Sequence, residues 1–212
     1  MSILEQLSSQ TGKRSEQPNR KVAELCIGQK ALLNEIAKGF KSKDNKLVGD
    51  GAEVMTFVAE TNPKLVSKYI NELFPLIRNR NGRVKWEAMH AISLITPLNT
   101  GFIFSILNEL DEIIHKEEGV IVRDYAVQTI CNYAKTSKKA ATIAFPFLKE
   151  ILNYWGERHA SRVIECLADI ISLAPGLKTE LISIVKDFEN NERGIIKKAV
   201  NKLNKGLRGI RK

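Results

Sequence analysis

The chain has 212 residues, 43% of them hydrophobic and 27% charged, with a formal net charge of +9. That composition sustains one sizeable core and excludes an unfolded polar tail. No apolar run approaches the ~20 residues of a membrane-spanning helix, and the polar start lacks the apolar stretch of a secretory signal, so a cytoplasmic protein is expected.

The positive charge is concentrated at the ends: residues 1–46 carry +4, residues 47–190 carry −2 and residues 191–212 carry +7. A uniformly basic groove, the electrostatic footprint of a dedicated nucleic-acid binder, is not what the middle of the chain encodes. Cys26, Cys131 and Cys166 form no C-x-x-C pair and read as reduced, small core hydrophobes.

In chain order, residues 1–20 read as a polar, flexible segment ahead of a single domain over 21–212. Apolar residues then recur at helical spacing, and turn chemistry such as Asn62-Pro63, Asn81-Gly82 and Pro175-Gly176 separates the segments. The predicted helices are 21–41 and 47–60, 64–78 and 83–97, 101–116 and 120–135, 139–154 and 157–174, 177–190 and 194–209. Pro75 and Pro146 predict a kink or a late start in two of the first helices, because proline lacks the N–H that a helix interior needs.

These helices form a repeat. Val122-Arg123-x-x-Ala126, with Ile130 and Tyr133, is preceded 38 residues earlier by Val84-Lys85-x-x-Ala88, with Ile92 and Ile95. Degenerate copies start at Leu47, His159 and Ile195, and Asn34, Asn71 and Asn108 keep a step of 37 residues in the first helices. A fixed period of this size signals stacked supersecondary units. The fold class is therefore all-α, with about five helix pairs.

The motif resembles that of HEAT repeats, whose second helix opens with V-[RK]-x-x-A and whose first helix often carries a proline, as in Phe74-Pro75-Leu76 and Phe145-Pro146-Phe147. The resemblance covers roughly residues 21–210 and implies a right-handed α-α superhelix of the armadillo-like kind. First helices would form its convex layer and second helices its concave one. It specifies fold far more than function.

Within 83–97 the core stripe is Val84, Ala88, Ala91, Ile92 and Ile95, so 100° per residue places Trp86, His90 and Ser93 on the opposite, exposed face. The same columns in later repeats give Asp124, Gln128 and Glu165. A protein partner is expected on this strip of Trp86, His90, Asp124, Gln128 and Glu165, with Trp86 as its anchor. The armadillo ladder of recurrent Trp and Asn is missing, since only Asn132 fills its column.

No catalytic residue, cofactor or metal is assigned. Glu87-x-x-His90 is a lone pair that reads as a solvated polar face, and Gly49-Asp50-Gly51 is not a phosphate loop. Cys131 lies near the polar face, without a histidine in the neighbouring repeat to activate it. The alternative is a nucleic-acid-binding protein resembling HEAT-like DNA alkylation glycosylases, with Trp86, Asp124 and Arg123 or Arg162 around an extruded base. Lys197, Lys198, Lys205 and Arg208, around a stripe of Ile195, Ala199, Leu203, Leu207 and Ile210, make the last helix either a polar cap or an anion-binding surface.

Overall fold

The computed structural model describes residues 2–209; Ile210, which the sequence places in the stripe of the last helix, lies outside the described residues. Among the described residues there are helices and turns and no strand. Where the sequence predicts a single domain from residue 21, the chain divides into two compact units. One runs up to residue 99 and includes 119–125; the other comprises 100–118 and the chain from 126 onward.

In the first unit, the expected helix 21–41 is two helices, α1 (Gln17–Gly28) and α2 (Leu32–Gly39). They do different jobs. Helix α1 packs mainly on α3 (Asn45–Thr61) and touches α2 only marginally. It buries Val22, Ala23 and Cys26, and the guanidinium of Arg20 sits 4.0 Å over the Phe57 ring. Helix α1 is thus the second helix of an incomplete repeat stacked against α3, while α2, with Leu33 and Ile36 buried, is the outer partner of α3.

The segment before α1 is no loose leader. Ser2 caps a 3-10 turn over Ile3–Gln6 by accepting from the Leu4 N–H, and Ile3 and Leu7 are buried. The Ser8 N–H donates to Asn19 Oδ1 at 2.8 Å and the Ser9 N–H to Asp50 Oδ2 at 2.7 Å. Ile3, Leu4 and Leu7 are too few to establish a helical period in a polar stretch, yet here Ile3 and Leu7 are buried and help cover the first repeat.

The predicted helix 64–78 is broken into α4 (Pro63–Val66), α5 (Ile70–Leu73) and flanking 3-10 turns, the last of which holds Pro75. The second helix α6 (Gly82–Ile95) is intact, with the Asn81 side chain capping it by accepting from the Val84 N–H at 3.2 Å. It packs against α3 through Val84, Ala88, Ile92 and Ile95.

In the second unit the first-helix layer comprises α7 (Thr100–Ser105), α8 (Leu107–Lys116), α10 (Lys138–Ile151), which keeps Pro146 inside it, and α12 (Lys178–Phe188). The second helices are the part of α9 (Val120–Ala134) from Ala126 on, α11 (Ala160–Ile170) and α13 (Gly194–Gly209). Helix α11 packs on α13 through Val163, Cys166, Leu167 and Ile170 against Ile196, Ala199, Val200, Leu203 and Leu207. The sequence puts Ile195 in that stripe. Instead Ile195 is 56% exposed and Ile196 fully buried. A stripe at 196, 199, 200, 203 and 207 follows the 3.6-residue period better than one through 195, and the helix turns accordingly.

Deleting residues 2–9 is expected to lower the stability of the first unit by ~3 kcal/mol or more, since burying an aliphatic side chain contributes about 1.5–3 kcal/mol and two are lost. Thermal melts followed by circular dichroism measure this; an unchanged midpoint would mean that the packing of Ile3 and Leu7 contributes nothing.

Candidate interaction surfaces

In the first unit, Trp86 and His90 lie one turn apart on α6 and are both half-buried, so neither is the fully solvent-facing side chain that the sequence places there. The His90 ring stacks on Tyr125 with centroids 4.0 Å apart and planes 13° off parallel. Burial lowers the pKa of His90 and favours the neutral ring at pH 7. Asp124, next to Tyr125, is half-buried too. Ser93 is buried rather than exposed.

Glu87 overturns the solvated-face expectation. It is 1% exposed, and its Oε1 has no hydrogen-bond partner. Burial first, and then the neighbouring Glu53 carboxylate, push its pKa up to about 8. Around it lies a network that the sequence did not signal. Asn19 donates to both Asp50 and Glu53, and Arg83 Nη2 contacts Asp50 at 2.8 Å and Glu53 at 3.0 Å. Two buried carboxylates side by side would be costly without this guanidinium and amide. The network floors a cavity of about 490 Å³ whose rim includes Gly12, Lys13, Arg14 and Lys46. Gly12 has φ +71°, a left-handed conformation that glycine adopts without Cβ strain.

In the second unit, side chains one repeat apart are bonded across the second helices. Gln128 donates to Asn132 Oδ1 at 2.7 Å and accepts from Arg162 at 2.8 Å. Asp169 binds Lys135 at 2.7 Å on one side and Lys202 on the other. Partial burial works against its charge, but the two ammonium groups hold its carboxyl below the usual range. Glu165, one turn before Asp169, is exposed.

The four cations singled out on α13 are all exposed, but they do not share one face. Stepping 100° per residue from Lys202, Lys198 and Lys205 lie within ~60° of it, as does the exposed Ile195. Lys197 and Arg208 are ~120–140° away. Arg208 lines a separate groove of about 330 Å³ with Ile182, Val185 and Leu207.

Sequence reasoning also missed a turn that follows α10. Trp155, Gly156 and Glu157 have φ of 54°, 60° and 60°, three left-handed residues in a row. The Trp155 indole N–H donates to the Ile114 carbonyl at 2.7 Å, and Tyr154 meets the His115 ring edge-on at 3.9 Å. Glu157 accepts from Asn191 and its carbonyl from Arg193, contacts that help hold this strained backbone. No spacing rule foretells such a turn.

Cys131 is buried, not near the polar face, and Cys166 Sγ donates to its carbonyl at 3.7 Å. Burial pushes the Cys26 thiol up to about 11. Arg123 is buried as well, so it cannot meet an extruded base at the surface. Among the described residues no cluster of three or more His, Cys, Asp or Glu is arranged to hold a metal ion, and no helix is long and apolar enough to cross a membrane.

Known structures share this arrangement of helices. A designed armadillo repeat protein in complex with the peptide (KR)4 superposes with a TM-score of 0.74 at 16% identity, covering 97% of this chain and 98% of that one. The fold is that of a helical repeat solenoid of the HEAT/armadillo kind. An engineered protein matches with a TM-score of 0.70 at 15% identity over 99% of this chain and 100% of its own. A computationally designed armadillo repeat protein for modular peptide recognition matches at 0.71 and 14%, over 96% and 98%. No protein-family model and no curated protein matches the sequence. Armadillo repeats have three helices where HEAT repeats have two. The splitting of 63–78 and 100–116 into shorter pieces gives this chain both patterns.

The raised pKa of Glu87 has a signed consequence. Unfolded, the carboxyl titrates near 4.5; folded, it keeps its proton up to about 8. Between these values the folded state binds the extra proton, so the contribution of Glu87 to stability falls as pH rises through the window and is level above it. Glu87→Gln, neutral throughout, is expected to flatten that fall when urea midpoints are compared with the parent at several pH values from 5 to 8.5. Parallel curves for the two proteins would place Glu87 outside the titration.

Proposed function

We propose that the protein is a non-enzymatic interaction module that binds a protein partner on the exposed faces of its second helices. Trp86, His90 and Asp124 contribute in the first unit, and Gln128 and Glu165 in the second. The observation that carries this reading is the cross-repeat bonding of polar side chains, Gln128 to Arg162 and Lys135 through Asp169 to Lys202, which fixes surface groups before any partner arrives. Pre-ordered side chains reduce the entropy lost on binding.

Chemistry at the thiols and at Glu87 is disfavoured: the thiols are buried, with those of Cys26 and Cys166 raised, and the proton on Glu87 is held away from solvent. Free buried thiols suit a reducing compartment, in keeping with a cytoplasmic protein. The solved designs with this fold include one carrying a bound peptide, which supports a peptide or protein segment as the partner class.

Panning an unbiased displayed peptide library against the full chain tests the reading. Selected peptides are expected to lose at least ~1 kcal/mol of affinity on Trp86→Ala, the signature of an interface anchor. The unfolding free energy should change by less than the ~3 kcal/mol of a fully buried tryptophan, because Trp86 is half-buried. Failure to select any peptide, or selected peptides indifferent to substitutions on the second helices, would overturn it.

A further inference from the structure

We infer that the exposed face formed by α11 and α13 in the second unit takes an acidic segment of the partner protein carrying at least one aliphatic side chain. The inference rests on the interaction-module reading and names the chemistry of its partner.

Three side chains of α11, Arg162, Glu165 and Asp169, are spaced three and four residues apart and share one face. On α13, Lys198, Lys202 and Lys205 do the same. The two rows are joined by the Lys202–Asp169 ion pair, and Lys135 reaches Asp169 from the end of α9. Five cations therefore stand against two carboxylates, and one of those, Asp169, is already shared by two ammonium groups. Lys198 and Lys205 are exposed and have no ion pair among the described residues. A row of this sign attracts carboxylates and repels a basic peptide, the opposite of the (KR)4 peptide in the designed armadillo complex.

Ile195 adds the second element of recognition. It is 56% exposed and stands within one turn of Lys198 on the lysine face. Exposed ion pairs are individually weak. An aliphatic contact at Ile195 supplies burial that charge alone does not, and it asks for a segment with an apolar residue among its carboxylates. A nucleic acid fits this face less well. Its phosphates follow one another without interruption and would be brought against Glu165 and Asp169. A peptide can place its carboxylates selectively, against the lysines and away from Glu165 and Asp169.

Fluorescence anisotropy decides between these partners with three probes: an octapeptide of Asp and Glu with one central Leu, the (KR)4 peptide, and a short single-stranded DNA. The acidic peptide is expected to bind best, with an affinity that weakens as salt is raised. Lys198→Glu/Lys205→Glu is expected to weaken it by about tenfold or more without altering the thermal midpoint, since both side chains are in solvent. Ile195→Ser is expected to weaken the Leu-containing peptide more than a variant with Gly in place of Leu.

Equal or tighter binding of (KR)4 or of DNA, or an affinity indifferent to the double lysine substitution, would overturn the inference. The two levels separate cleanly. Library-selected peptides that are basic or neutral sink the acidic preference and leave the interaction module standing, whereas selection of no peptide sinks the module.

Discussion

A pair of amphipathic helices in a stacked array has two apolar flanks, and only neighbouring pairs can cover both. Every major feature of this protein follows from how that requirement is met. Within the array it is met by second helix on second helix, α3 on α6 and α11 on α13, through stripes of Val, Ile, Leu and Ala that are almost wholly inaccessible. Ahead of the α2–α3 pair, helix α1 packs on α3 as a second helix does, and the 3-10 turn with Ile3 and Leu7 supplies further apolar cover.

Covering α3 in this way places polar groups where they are costly. Asp50 lies on α3 at 1% exposure and Glu53 at 9%, and the groups that compensate them come from three separate stretches: Ser9 before α1, Asn19 in α1 and Arg83 in α6. The cap and the next repeat are thereby tied to one acidic node. Glu87 completes the node on a different principle. Arg83 favours its charged form, but burial and the Glu53 carboxylate outweigh that guanidinium, so Glu87 stays protonated at neutral pH.

The two units handle their exposed second-helix faces differently. In the first, aromatic rings are partly withdrawn: His90 lies flat on Tyr125, and Trp86 shows only part of its surface. In the second, half-buried amides and exposed charges reach across from repeat to repeat. A partly covered aromatic contributes area and shape, whereas a fixed charge row contributes sign and direction. The lysines of α13 belong to this second kind, and only those on the side of Lys202 join the row.

The period of about 37 residues, the all-α class and most second-helix stripes were legible in the sequence, because stacked helices impose a 3.6-residue apolar rhythm that survives divergence of everything else. First helices were read less well: 63–78 breaks into more pieces than the one kink that Pro75 predicts, α10 runs unbroken through Pro146 where a kink or late start is expected, and Ile195 against Ile196 shows how one residue of rotation escapes a pattern that fits either choice.

The rest belonged to tertiary structure. Whether α1 serves as an outer or a second helix depends on which flank of α3 it covers and which is covered by α2. Whether Glu87 carries a charge depends on its burial and on Glu53 and Arg83, more than thirty and four residues away in sequence respectively. A polar residue's neighbours across the repeat set its charge and exposure, and a one-dimensional period carries the spacing of helices but not the identity of what is packed against them.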